Sequence, residues 1–224
     1  MKYLVVSDIH GSYYYAKKLE QIIMKENPSK IILLGDLYYH GPRNSLTDEY
    51  NPMKVSKILN KYKDNIICTR GNCDAEVDEM ISEFKFEEYI QININGLDFF
   101  FSHGHIYNID KIPPIGDIIV YGHFHTGYIK EKDGLVFVNP GSISLPKNNT
   151  AHSYLIIDNN ELILKDIDGK VIEKKNRIER DIFINKLFND LEIDLLRYPV
   201  YNTYYKETLK KRILENIKEH YYED

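Results

Sequence analysis

The stretch Tyr3-Leu4-Val5-Val6-Ser7-Asp8-Ile9-His10-Gly11 decides how this chain is read. Its four apolar residues form a run of strand length, and they lead directly into two polar side chains and a glycine. The same order recurs twice. Residues 31–34 form a second apolar strand that meets Gly35-Asp36. Ile66–Thr69 forms a third, followed by Arg70-Gly71-Asn72-Cys73-Asp74. Between these strands, Tyr13–Glu26 carries Leu19, Ile22 and Ile23 at helical spacing. Asn51-Pro52 supplies an N-cap and a first-turn proline for another helix. Val55, Ile58, Leu59 and Tyr62 then mark its buried face. The β-α-β-α-β order predicts a largely parallel sheet with helices packed on it.

Further along, the punctuation changes. Asn95-Gly96 separates Tyr89–Ile94 from Leu97–Ser102, and Asp133-Gly134 separates Gly127–Lys132 from residues 135–139. Both are hairpin signals of the type I′ kind. Asn159-Asn160 and Asp168-Gly169 supply two more turns. An antiparallel-rich half thus follows a parallel half, which predicts an α/β sandwich of two facing sheets with helices outside. Residues 1–174 read as one domain. Residues 175–224 read as a helical extension, with Ile184, Leu187, Phe188 and Leu191 in one stripe and Leu209, Ile213, Ile217 and Tyr221 in another. The second stripe must be covered, either by the domain itself or by another copy in a homo-oligomer.

The 224 residues suffice for one sizeable core. A net charge of -5 argues against a general nucleic-acid binder, whose affinity comes from neutralising phosphates. No apolar run approaches the length of a membrane span, and the N-terminal run is shorter than a signal-peptide core. The two cysteines, Cys68 and Cys73, form no Cys-x-x-Cys and read as reduced thiols. A cytoplasmic protein is the expectation.

The polar residues cluster after the strands. They are Asp8-x-His10, Gly35-Asp36, Gly71-Asn72, Ser102-His103-Gly104-His105 and Gly122-His123-Phe124-His125. Ligands of open α/β sheets bind beyond the C-terminal strand ends, so segments far apart in sequence converge there. Taken singly, each residue has a plain structural role as a helix cap, a turn former or a surface histidine. Taken together, carboxylate, imidazole and amide donors suit a binuclear site for manganese, zinc, iron, nickel or magnesium. Each pair, Asp8 with His10 and His123 with His125, is expected to share one side of an extended segment.

This series resembles the calcineurin-like metallophosphoesterases, nearest to the small bacterial YfcE-like phosphodiesterases. Finer matches are His40-Gly41-Pro42-Arg43-Asn44 and Asn139-Pro140-Gly141-Ser142, and the resemblance covers residues 1–167. It implies a four-layer α/β/β/α sandwich and two divalent ions, manganese by family expectation. Asp8, His10 and His125 would hold one ion, and Asn72, His103 and His123 the other, with Asp36 bridging them. The expected activity is hydrolysis of small phosphodiesters by a bridging hydroxide between ions about 3.5–4 Å apart.

One departure concerns the position after Gly71-Asn72, where many relatives carry a histidine that serves the leaving group. Here it is Cys73, a poor acid that also reads as a packing residue. His105 is a candidate substitute acid. Arg43 is a candidate phosphate contact beside Asn72, and Tyr13 and Tyr39 are candidates to stack on a base or aryl group. The rival readings are a non-catalytic scaffold with this fold, a phosphomonoesterase and a nuclease.

Overall fold

The computed structural model describes residues 1–159 and 161–176. The expected helical stripes of the C-terminal extension, and any role for them in oligomerisation, lie outside the described residues. Among the described residues, no helix is long and apolar enough to cross a membrane.

Strand β1 (Tyr3–Val6) is buried along its whole length and pairs in parallel with β2 (Lys30–Leu33). β2 pairs in parallel with β3 (Ile66–Thr69), and β3 with the short β4 (Phe86–Glu87). On its other side β1 pairs antiparallel with β10 (Ser153–Asp158), which continues through β11 (Glu161–Asp166) to β12 (Val171–Lys175). These seven strands form the first sheet. The second has five, in the order β5 (Tyr89–Ile94), β6 (Leu97–Ser102), β7 (Ile118–Tyr121), β9 (Leu135–Pro140), β8 (Gly127–Lys132). The expected halves therefore do not map onto sheets. The last three strands return to the first sheet, and β6, β7 and β9 run parallel in the second. Local turn chemistry fixes hairpins, whereas sheet membership is a long-range choice that turns do not encode.

The period-two alternation of strand side chains sorts the core into layers. Leu4, Val6, Ile31 and Leu33 face the helices α1 (Tyr13–Glu26) and α2 (Pro52–Asn60), meeting Leu19, Ile22, Val55 and Ile58. Tyr3, Val5, Ile32 and Leu34 face the second sheet and pack against Phe99, Phe101, Ile118 and Val120. The outer face of the second sheet holds Phe100, Ile119, Tyr121 and Phe137, with Tyr107 and Ile109 packed on them.

Helices α1 and α2 each start where a cap residue stands. Ser12 Oγ accepts from the Tyr15 N–H at 3.3 Å, and Asn51 Oδ1 accepts from the Lys54 N–H at 3.0 Å. Helix α1 ends at Asn27, whose left-handed backbone (φ 46°) closes the last turn. Both I′ hairpins are present, with positive φ at Asn95-Gly96 and Asp133-Gly134.

Glu26, at the end of α1, is buried where the helix meets the far side of the first sheet. Its carboxylate accepts from Lys165 Nζ at 2.8 Å and from Tyr154 OH at 3.1 Å. Burial opposes its charge, but Lys165, Tyr154 and Lys2 overcome that and lower its pKa. A lowered folded pKa means that the stabilisation is present above the ordinary glutamate range and is lost as pH falls through the folded value. Glu26→Gln is expected to cost about 1.5–3 kcal/mol at pH 7, with the deficit shrinking below about pH 4. Urea unfolding of both proteins across that window checks it, and a pH-independent deficit would contradict the assignment.

Candidate active site

The site grows from three strand ends tied together by their backbones. Beyond β1 and β2, the Asp8 N–H donates to Gly35 O at 3.2 Å. The His10 N–H donates to Asp36 O at 2.9 Å, and the Gly11 N–H to Leu37 O at 2.9 Å. The buried carboxylate of Asp74 clamps this edge to the loop after β3. It accepts from the Asp36 N–H (2.8 Å), the Leu37 N–H (2.9 Å) and the Gly71 N–H (2.7 Å). Burial raises the pKa of this carboxyl, and the nearby Asp36 charge adds to the rise. Gly71 must be glycine for steric reasons, since a Cβ there would lie 2.1 Å from Asp36 Oδ1. The loop after β9 supports the other side. Ser142 Oγ and Ser144 Oγ donate to Asp8 O at 2.7 and 2.8 Å, and Asn139 Nδ2 donates to Gly122 O at 2.7 Å. The Asn139-Pro140-Gly141-Ser142 match is therefore a positioning segment.

The paired residues are not extended, and this corrects the sequence expectation. Asp8, His10, Asp36, His123 and His125 all have left-handed backbones, with φ of 58°, 49°, 54°, 65° and 58°. They stand past the strand ends, where alternation no longer applies. Non-glycine residues are uncommon in this region and cluster at functional sites.

Three imidazoles are oriented by the main chain. Nδ1 lies 2.8 Å from Tyr39 O in His10, 2.6 Å from Leu34 O in His103 and 2.7 Å from Leu145 O in His125. A carbonyl only accepts, so each Nδ1 carries the proton and each Nε2 faces inward. His10 Nε2 and His125 Nε2 are 3.2 Å apart. His125 Nε2 is 3.2 Å from Asp8 Oδ1, and His10 Nε2 is 3.6 Å from the same oxygen. Asp36 Oδ2 lies between the two sets, 3.7 Å from His10 Nε2 and 3.4 Å from His103 Nε2. His103 Nε2 is also 3.0 Å from Asn72 Oδ1. The His123 ring sits 5.1 Å from that of His103, and the His123 backbone N–H donates to Asp8 Oδ2 at 3.1 Å.

Side-chain distances thus join six of the seven expected ligand positions, and the His123 ring stands beside that of His103. Ligand atoms of Asp8, His10 and His125 lie within 4.8 Å of one another, as do those of Asp8, Asp36 and His103 and those of His10, Asp36 and Cys73. The arrangement fits cations. In neutral rings the facing Nε2 atoms of His10 and His125 present lone pairs to each other. Asp8 Oδ1 is fully buried without a hydrogen bond. A positive ion between them satisfies all three atoms at once. The electrostatics agree in sign. Burial would raise the Asp8 carboxyl, but the His10 and His125 rings hold it well below the usual carboxylate range. Burial disfavours charge on His103, yet Asp36 and Asp8 raise its pKa to about 9. Burial and the neighbouring His103 charge push His123 down to about 4.

The cluster floors a cleft of about 700 Å³. Arg43, Tyr39, Asn72 and Cys73 line it, as the sequence led one to expect, and Lys147 joins them unforeseen. Tyr13 turns away, placing its ring under Lys17 and Lys54 and against the helix-side core. His105 is exposed at the edge, its ring 5.5 Å from that of His103, and is not among the residues lining the cleft. Burial, with the His103 charge, lowers its pKa. Arg70 pairs with Glu79 beside the Phe86 ring.

Comparison with known proteins agrees with this geometry. The calcineurin-like phosphoesterase superfamily domain matches residues 1–161. Phosphodiesterase YfcE of Escherichia coli K12 is 35% identical over 165 residues, covering 72% of this chain and 90% of that protein. The solved YfcE structure superposes with a TM-score of 0.76 at 33% identity, over 78% of this chain and 98% of that one. Phosphodiesterase MJ0936 of Methanocaldococcus jannaschii is 27% identical over 63% of this chain and 83% of its own length. A Vps29 variant of Entamoeba histolytica shares the fold at 20% identity, with a TM-score of 0.56 over 79% of this chain and 99% of that one.

Asp74→Asn replaces one acceptor oxygen with a donor amide facing backbone N–H groups. It is expected to cost about 1–3 kcal/mol of stability and to weaken manganese binding about 10- to 100-fold. Urea unfolding and manganese titration by electron paramagnetic resonance measure the two effects. Wild-type affinity in the variant would show that the clamp does not shape the site.

Proposed function

The chain belongs to the calcineurin-like phosphoesterase superfamily, and we propose that it is a two-metal phosphodiesterase acting on small phosphodiesters. The observation that carries this reading is the convergence of three main-chain-oriented Nε2 atoms on the Asp8 and Asp36 carboxylates. Asp8, His10 and His125 would hold one divalent ion, and Asn72, His103 and His123 the other. Asp36, whose Oδ2 lies between His10 Nε2 and His103 Nε2, would serve both. The donor set admits manganese, zinc, iron or nickel. When bound, the two ions neutralise charge on the phosphoryl oxygens and lower the pKa of the attacking water.

The chain's own groups then divide the remaining work. The backbone carbonyls of Tyr39, Leu34 and Leu145 keep the imidazoles in one tautomer. Arg43, exposed on the cleft wall, offers a guanidinium fork to a phosphate group held in the cleft. Cys73 contributes its N–H to Asp36 Oδ1 at 2.8 Å. Its thiol is pushed up to about 12 by burial and the Asp36 charge. A thiol that weak stays neutral at pH 7 and gives little help to a departing alkoxide. Competent ligands at all seven positions weigh against a non-catalytic scaffold.

Metal-stripped protein resupplied with manganese is expected to hydrolyse bis-p-nitrophenyl phosphate far faster than p-nitrophenyl phosphate, and Asp36→Asn is expected to abolish this turnover. Manganese-independent activity, or near-normal turnover in the variant, would sink the two-metal reading. A salt-insensitive KM for small diesters would separate it from a nuclease. With the general acid replaced by Cys73, aryl diesters are expected to outpace alkyl diesters steeply. Equal rates for both, with chemistry limiting, would contradict the role given to Cys73.

A further inference from the structure

The cleft is larger than one phosphoryl group requires, since about 700 Å³ lies within the range of sites that enclose a whole small molecule. Its walls also have an uneven charge. The chain carries 34 acidic residues against 29 lysines and arginines. Yet among the described residues lining the cleft the one acid is Asp36, which is engaged with the ligand groups, and both Arg43 and Lys147 stand on the wall.

Both cations ride on closed turns. The Lys147 N–H donates to His125 O at 2.9 Å, so the residue is anchored to the backbone of a floor residue. Its own carbonyl accepts from the Thr150 N–H at 3.0 Å and Thr150 Oγ1 at 2.8 Å. Asn148 and Asn149 between them have φ of 54° and 57°, the positive pair of a type I′ turn. Arg43 sits in Gly41-Pro42-Arg43-Asn44, closed by the Asn44 N–H to Gly41 O at 3.3 Å and by Asn44 Nδ2 to His40 O at 2.8 Å. Two fixed backbones thus present two cations to one cavity from separate loops.

We infer that Lys147 and Arg43 form an anion-reading rim, and that the substrates are phosphodiesters in which one ester arm carries a second, terminal phosphate. Two cations match a dianionic group, and a guanidinium binds phosphate through two parallel hydrogen bonds. The inference rests on the diesterase reading above and deepens it. Tyr39, 41% exposed on the same wall, supplies a flat surface for the group linking the two phosphates.

Binding tests the rim without requiring turnover. Calorimetry on the full-length, manganese-loaded protein would compare thymidine 3′,5′-bisphosphate with thymidine 5′-phosphate. The bisphosphate is expected to bind about tenfold more tightly at low salt, about one charge-assisted hydrogen bond after allowance for exposure. The margin should shrink with ionic strength. Lys147→Ala is expected to collapse it, and Lys147→Arg to retain most of it. Equal affinity of the two nucleotides for the wild type would overturn the inference, as would a margin untouched by Lys147→Ala. An intact margin in a protein that hydrolyses no diester would instead overturn the diesterase reading and leave the rim standing.

Discussion

Everything at the site depends on one constraint: a backbone carbonyl has no proton to give. Where Tyr39 O, Leu34 O and Leu145 O meet a histidine Nδ1, the proton must sit on the ring at that position. In the neutral ring the opposite nitrogen then points its lone pair toward the carboxylates of Asp8 and Asp36. This requires the carbonyls to be held still, and the strand ends hold them. The parallel pairing of β1 with β2 continues past the strands as three further backbone hydrogen bonds, and the Asp74 carboxylate closes the remaining edge against Gly71. Sheet registry thereby becomes tautomer choice, and tautomer choice becomes affinity for cations.

Layering explains why the site lies where it does. The first strand sends Leu4 and Val6 to the helices and Tyr3 and Val5 to the second sheet. It cannot spare a side chain for chemistry until it leaves the sheet at Ser7. The second sheet obeys the same rule and releases its histidines after β6 and β7. The functional residues gather along the common edge of two sheets because both sheets are buried up to that edge.

Much of this was legible in the sequence because it is written locally. Apolar runs ending in Gly-flanked polar residues marked the segments that converge at the candidate site, and Asn-Gly and Asp-Gly located the hairpins. Long-range choices were not legible. Nothing near Ser153 says that β10 returns to β1 and not to its neighbour β9. The Asp74 clamp was not legible because its three partners lie in other segments or three residues away. Lys147 carried no signal in the sequence, since its place on the cleft comes from a bond to His125 O made across the loop. The left-handed backbone at five of the candidate ligand positions was hidden for the same reason.

That last feature narrows the alphabet of the site. Aspartate, asparagine and histidine are the non-glycine residues that enter the left-handed region most readily, and they are also oxygen and nitrogen donors for borderline divalent cations. On the proposed two-metal reading, positions 8, 10, 36, 123 and 125 would be filtered twice, once by the peptide and once by the ion. Glutamate or cysteine could ligate, but each would carry a conformational penalty that aspartate and histidine largely avoid. Divergence at these five positions has few routes that preserve both filters, so a descendant that abandons the metal is freer to change them than one that merely exchanges it.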